Sequence, residues 1–311
     1  MKKVLLGLLM VLVAAGLGFA GGDSEEEAAD EPIVLRLAET HVEDYPTTQG
    51  NYRFAELVAE RTDGRIQIEV FPGSQLGEER AVIEQVQFGA IDFTRVSISP
   101  LAAFSPALDA LQMPYLYRDA DHMWDVLLGP IGDEFLGSVE DAGFVGLAWY
   151  DSGSRSFYNS VRPIESVADL EGLKIRVQES RLMVGLVEAL GAVATPMPFG
   201  EVYSALQTGV IDGAENNWPS YFSTSHYEVA EFYTLDQHTR VPEILIASKI
   251  VMDRLSEADQ EIIRQAARDS IAYQRQLWAE FEEEAEAVIR EAGNTITELS
   301  PEAYADFQAA M

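Results

Sequence analysis

Apolar and polar positions alternate over Ile33–Ala38 and again over Ile66–Phe71, the period of two that a half-buried strand requires. Between them Tyr52–Arg61 carries apolar residues at helical spacing and closes near Gly64, so the chain opens β-α-β. Further along, the pattern predicts a helix over Asp121–Leu128, a strand over Phe144–Tyr150 and a helix over Leu182–Leu190 that stops at Gly191. In Leu173–Gln178 the alternation is strict: Leu173, Ile175 and Val177 share one face, and Lys174, Arg176 and Gln178 share the other. Ser256 and Asp259 form a capping box, behind which a near-helical period of apolar residues runs to about Ala292. A helix of that length without an internal stop fits a brace laid across two lobes better than an element of one lobe.

One composite pattern occurs twice. Val70–Asp92 reads as a strand end, Pro72, Gly77-Glu78, an amphipathic helix, Gly89 and Ile91-Asp92. Thr195–Asp212 repeats the order with Pro198, Gly200-Glu201, a helix, Gly209 and Ile211-Asp212. Each copy is a strand–helix–strand unit whose helix ends at a glycine. Two copies in one chain predict two similar α/β lobes facing a cleft, the usual seat of a ligand.

The amino terminus stands outside that pattern. Lys2-Lys3, the apolar run Val4–Leu17 and the small-residue site Gly18-Phe19-Ala20 read as a secretory signal peptide over residues 1–20, followed by an acidic, disordered spacer over 21–31. The expected destination is periplasmic. The chain has no cysteine, which removes disulfides, thiolate metal sites and a lipid-modified cysteine. Its formal charge is −31, with only four lysines, and such a surface repels nucleic acid.

Catalytic signatures of the zincin, nucleophile-elbow and P-loop kinds are absent, and the four histidines are scattered through the sequence, so neither metal nor cofactor is called for. Glu78-Glu79 suits a helix N-terminus better than acid–base catalysis. The arginines are more suggestive. Arg155 follows an apolar strand, Arg176 lies on the polar face of the next one, and Arg95 follows Ile91-Asp92 at the place where repeat two carries Glu215-Asn216-Asn217. Strand ends border the crevice of α/β sheets, and a guanidinium fork fits a carboxylate with two parallel hydrogen bonds. At physiological salt the Debye length is about 8 Å, so local arginines outweigh the distant surface charge. Asn216, Asn217, Trp218 and Tyr221 add amides and rings near one strand end, although Asn217-Trp218-Pro219-Ser220 also reads as a turn with Trp218 in the core.

The runs Gly172–Val177, Met197–Gly209 and Val210–Asn216, with Pro72, Gln75-Leu76-Gly77 and His226–Val229, resemble the solute-binding subunit of TRAP (tripartite ATP-independent periplasmic) transporters over nearly all of the mature chain. The resemblance implies a two-lobed α/β fold of the periplasmic-binding-protein kind (class II type) with a long helix spanning both lobes. It places lobe 1 at 32–152 plus about 242–281, and lobe 2 at 153–241 plus about 282–311. It implies that Arg176 grips a ligand carboxylate with Arg155 and Asn216 assisting, that Phe199 lines the pocket, and that Thr40, Glu79 and Arg95 supply contacts from lobe 1. Arg155–Asn159, Glu215–Tyr221 and His238–Glu243 resemble the branch that binds hexuronates such as glucuronate and galacturonate, with Glu79, Arg95, Asn216 and also His41, Gln178 and Asn217 available to the hydroxyls. The expectation is a monomeric receptor, not an enzyme, that captures a sugar acid and hands it to the membrane subunits of a TRAP permease. A C4-dicarboxylate, with Arg95 as second cation, is the alternative ligand; a secreted enzyme on acidic sugars, with Glu79 as acid, is the alternative of another class.

Overall fold

A computed structural model describes residues 31–311, so the signal peptide and all but the last residue of the acidic spacer lie outside the described residues. The strands are β1 (Ile33–Ala38), β2 (Ile66–Phe71), β3 (Phe93–Ser97), β4 (Phe144–Tyr150), β5 (Arg155–Asn159), β6 (Lys174–Val177), β7 (Val193–Pro196), β8 (Gly213–Asn216), β9 (Phe232–Thr239), β10 (Glu243–Ser248) and β11 (Thr295–Glu298). They form two mixed sheets, ordered β2-β1-β3-β10-β4 and β11-β9-β5-β8-β6-β7. The chain crosses from the first sheet to the second between β4 and β5, and returns between β9 and β10.

The duplication is larger than the sequence pattern. In the first sheet β1 pairs in parallel with β2 on one side and β3 on the other, and β10 then runs antiparallel to β3. In the second, β6 pairs in parallel with β7 and β8, and β5 runs antiparallel to β8. Thus β2-β1-β3-β10-β4 matches β7-β6-β8-β5-β9 strand for strand, direction for direction, with β11 an addition at the edge. Both repeat helices, α2 (Glu79–Gln87) in the first sheet and Val202–Gln207 in the second, stop before glycines held at φ 72° and 71°. A left-handed turn at that point costs a glycine nothing and any β-carbon-bearing residue about 1 kcal/mol or more.

The first sheet shares one core with Phe54, Ile83, Trp124 and Ile263, whereas the second sheet buries two smaller cores, one around Ile175, Val177 and Leu186, the other around Tyr158, Tyr221 and Tyr233. The long helix covers Glu257–Ala292, 36 residues or about 54 Å, with Ser256 Oγ accepting from the Asp259 amide and Gly293 closing it at φ 92°. Ile263, Ala266, Ala267 and Ile271 enter the core of the first sheet, and Ala285 and Ile289 enter that of the second. Between these stretches Gln274 accepts from the Asp151 amide at 2.8 Å and donates to the Asp151 carbonyl at 3.0 Å, fastening the chain where it leaves β4.

Strand boundaries match the alternation at β1 and β2 and the apolar run at β4. The first helix does not: α1 covers Pro46–Arg61 and so begins six residues before Tyr52. Its opening turn reads like a loop in sequence, yet Pro46 occupies the first turn, where its missing N–H is no loss, and Thr47, Thr48, Gly50 and Asn51 are buried. Packing explains the glycine, because a β-carbon at Gly50 would lie 2.9 Å from Gln274 Cβ on the long helix.

Candidate functional site

The cleft between the two sheets is lined at the carboxyl ends of their central parallel strands. The ten residues assigned to the ligand in the sequence all line it: Thr40, His41, Glu79, Arg95, Arg155, Arg176, Gln178, Phe199, Asn216 and Asn217, whereas the rings of Trp218 and Tyr221 are buried in a core. Lining residues that sequence reasoning missed are Tyr45, Thr47, Ser152, Ser220 and Glu243. Behind them stands Glu39, at the end of β1 and 2% exposed. An acid just beyond an apolar strand was the available signal for Glu39; for Glu243 it was the first position of the apolar run Ile244–Ala247.

The three arginines differ in their partners. Arg95, on β3, bonds both oxygens of Glu39, reaches Glu243 at 2.7 Å and Glu79 at 3.4 Å, and is 1% exposed. Its guanidinium is therefore already surrounded by carboxylates, the opposite of what a second cation for a diacid requires. Arg155, at the start of β5, bonds the Glu215 carboxylate with two nitrogens, the Glu215 carbonyl at 2.7 Å and Asn216 Oδ1 at 2.8 Å. Arg176, on β6, donates from Nε and Nη2 to the Met197 carbonyl at 3.0 and 2.8 Å and has no carboxylate partner among the described residues. Burial pushes its basicity down, Arg155 adds to this, and Glu215 and, across the cleft, Glu79 oppose it without bonding to it. The Phe199 ring lies 5.9 Å from the guanidinium carbon.

Strand register exposes a relation between these pairs. Leu37 and Ala38 of β1 face Phe93 and Thr94, as Ile175 and Arg176 of β6 face Gly213 and Ala214. Arg95 and Glu215 are thus equivalent third residues of β3 and β8, and Glu243 and Arg155 are equivalent first residues of β10 and β5. One buried ion pair stands in both sheets with its polarity reversed.

The remaining groups set the cavity's hydrogen-bonding character. Asn217 caps the Trp218–Ser223 helix, accepting from the Ser220 amide at 2.8 Å, and donates to the Ser152 carbonyl at 2.9 Å. Trp218 is core, stacked on Tyr233 with ring centroids 3.9 Å apart. Gln178 is 8% exposed and its Oε1 has no hydrogen-bond partner among the described residues. His41 stacks on Tyr45 at 3.8 Å; burial first, then Arg155, pushes it down to about 3, so it is neutral. Burial, then Glu243, pushes the Glu79 carboxyl well above the usual range, although the Ser97 amide donates to it at 2.9 Å. Glu215 is held near 2: burial acts to raise it, and Arg155 with His238 overrides that. His238 bonds Asp236 at 2.7 Å and lies 3.5 Å from Glu215, an electrostatic contact; burial acts to lower it, but the two acids carry it up to about 9.

Two matched sheets, a long helix that packs on both and a polar cleft between them are the architecture of a solute-binding protein. The chain belongs to the bacterial extracellular solute-binding proteins, family 7 (DctP), which matches residues 37–311, the solute-binding proteins of TRAP transporters. A TRAP periplasmic solute-binding protein of Bradyrhizobium sp. BTAi1, in complex with galacturonate, is 47% identical, with a TM-score of 0.87 over 89% of this chain and 92% of that one. One from Roseobacter denitrificans, with bound β-D-glucuronate, is 41% identical, with a TM-score of 0.86 over 89% and 91%. A solute-binding protein of Chromohalobacter salexigens is 41% identical over 87% of this chain and 80% of its own length. Among the described residues no helix is long and apolar enough to cross a membrane.

Proposed function

We propose that this receptor captures a hexuronate, D-galacturonate or D-glucuronate, in the extracytoplasmic space, closes its two halves over it, and passes it unchanged to the membrane subunits of a TRAP permease. The observation that carries this reading is Arg176: a buried cleft guanidinium without a carboxylate partner among the described residues. A ligand carboxylate supplies the missing charge, with Asn216 and Arg155 beside it. The rest of the cavity offers hydroxyl-compatible groups, among them Gln178, Thr40, neutral His41 and Glu79. Phe199 covers an apolar ring face. The uronates bound by the relatives described above support the same class of ligand. Hinge motion would occur where the chain crosses between the sheets, on either side of the proposed halves 32–152 with 242–281 and 153–241 with 282–311.

Calorimetric titration with both uronates tests the assignment. Micromolar binding corresponds to about 8 kcal/mol, within reach of one desolvated charge pair and several hydroxyl bonds. Arg176→Ala removes two charge-assisted bonds worth about 1.5–3 kcal/mol each, so affinity should fall by about 100-fold or more. Near-normal binding by the variant would refute the role given to Arg176. Chromatography of the ligand after prolonged incubation should return it intact; a new product would favour an enzyme.

A further inference from the structure

The cleft has walls of unlike charge. On the second sheet Arg155 is matched by Glu215, and Arg176 is in excess. On the first sheet a single cation, Arg95, serves Glu39, Glu79 and Glu243. Of these three acids Glu79 presents most to the cavity: its side chain is 16% exposed against 7% for Glu243 and 0% for Glu39. An independent sign that the cavity awaits a hydrogen-bond donor is the unpartnered, buried Gln178 Oε1. A solute whose far end carries hydroxyls can donate to such acceptors. A solute whose far end carries a second carboxylate brings only acceptors, and a negative charge, against a wall with none to spare.

We infer that the acidic wall, through its cavity-facing member Glu79, selects acids with a single carboxylate and rejects diacids of the same length. The inference rests on the hexuronate reading and adds to it a basis for discrimination. Hexarates are the discriminating probes, because galactarate and D-glucarate keep the six-carbon hydroxylated chain and add one carboxylate at the other end.

The wall also has a titration sense. Glu79 faces Arg95 and Ser97 from β3, Glu243 from β10, Glu39 beyond Arg95, Glu78 on its own helix and Arg176 across the cleft. Burial and Glu243 hold its proton on to higher pH than usual, so the wall becomes more negative as pH rises past neutrality. Uronates and hexarates are both fully ionised from pH 6 to 8.5, so the ratio of their affinities reports the wall and cancels changes common to both.

The experiment is calorimetric titration of the full-length mature protein and of Glu79→Gln with both uronates and both hexarates. Glutamine keeps an oxygen to accept from the Ser97 amide and removes the charge. At pH 8.5, where Glu79 is mostly ionised, the wild type should prefer the monoacid by about 100-fold, and E79Q should narrow that preference to less than tenfold. In the wild type alone, which guards against a variant that fails to fold, the preference should widen several-fold between pH 6 and 8.5. A hexarate bound within a few-fold of the uronate, a folded E79Q with an unchanged ratio, or a pH-independent ratio would each overturn the inference while leaving uronate capture standing. Failure of the wild type to bind either uronate would bring down the hexuronate reading and this inference with it.

Discussion

Arg95, Arg155 and Arg176 are chemically the same side chain in one cleft, and only their neighbours separate them. Their positions at strand ends were legible in the sequence. Their states of charge compensation were not, because Glu39 and Glu243 lie 56 and 148 residues from Arg95 in the chain, and Glu215 lies 60 from Arg155. Pairing across such separations is a product of the folded sheets. His238 carries a consequence of the same network. Its folded value near 9 lies above the ordinary 6.5, so the stability it contributes is complete below pH 6.5 and is lost as pH rises through 9. The contribution is on the order of 3 kcal/mol. Urea unfolding at pH 6, 7.5 and 9.5 should show stability falling across the series, and His238→Gln should flatten the fall; an unchanged slope in the variant would assign the effect elsewhere.

Among the elements, the apolar pattern located every strand it addressed: β1 and β2 alternate between buried and more exposed positions, and β4 is a short apolar run buried on both faces. Lys174–Val177 illustrates both the rule and its exception: Ile175 and Val177 are fully buried and Lys174 is exposed, yet Arg176 is 3% exposed because its face looks into the cleft. The start of α1 was missed because Pro46–Asn51 has the composition of a turn and is helical through tertiary contact. Gly50 gives a test. Alanine there would gain about 1 kcal/mol of helix propensity, but would press on Gln274 and, at 3.0 Å, on the Tyr150 ring, and overpacking costs about 1–3 kcal/mol. Gly50→Ala should therefore lower the melting temperature by about 3 °C in calorimetry, whereas a rise would show that the two helices part at no cost.

At the scale of the whole molecule the sheets meet through few direct bonds. Tyr45, just before α1, reaches across to Ser220 Oγ at 2.8 Å, while its ring packs edge-on against Trp278 and Phe281 of the long helix. Tyr45→Phe keeps the ring and removes the bond, worth about 1 kcal/mol in the shut form. Uronate should then dissociate about five-fold faster in stopped-flow measurements, with little change in association; an unaltered off-rate would mean that the shut form does not depend on this contact. The two-lobe plan was legible from a motif repeated at 120 residues' distance, as Gly89 and Gly209 show, but the motif did not reveal that the likeness extends over five strands.

That likeness has one inverted detail, Arg95 with Glu243 in one sheet and Glu215 with Arg155 in the other. A scaffold copied with one salt pair transposed is no longer indifferent to which way round its cargo lies. On the proposed role of Arg176 the passenger would acquire a heading, acid end toward the second sheet and hydroxyl end toward the first, before any transporter is met.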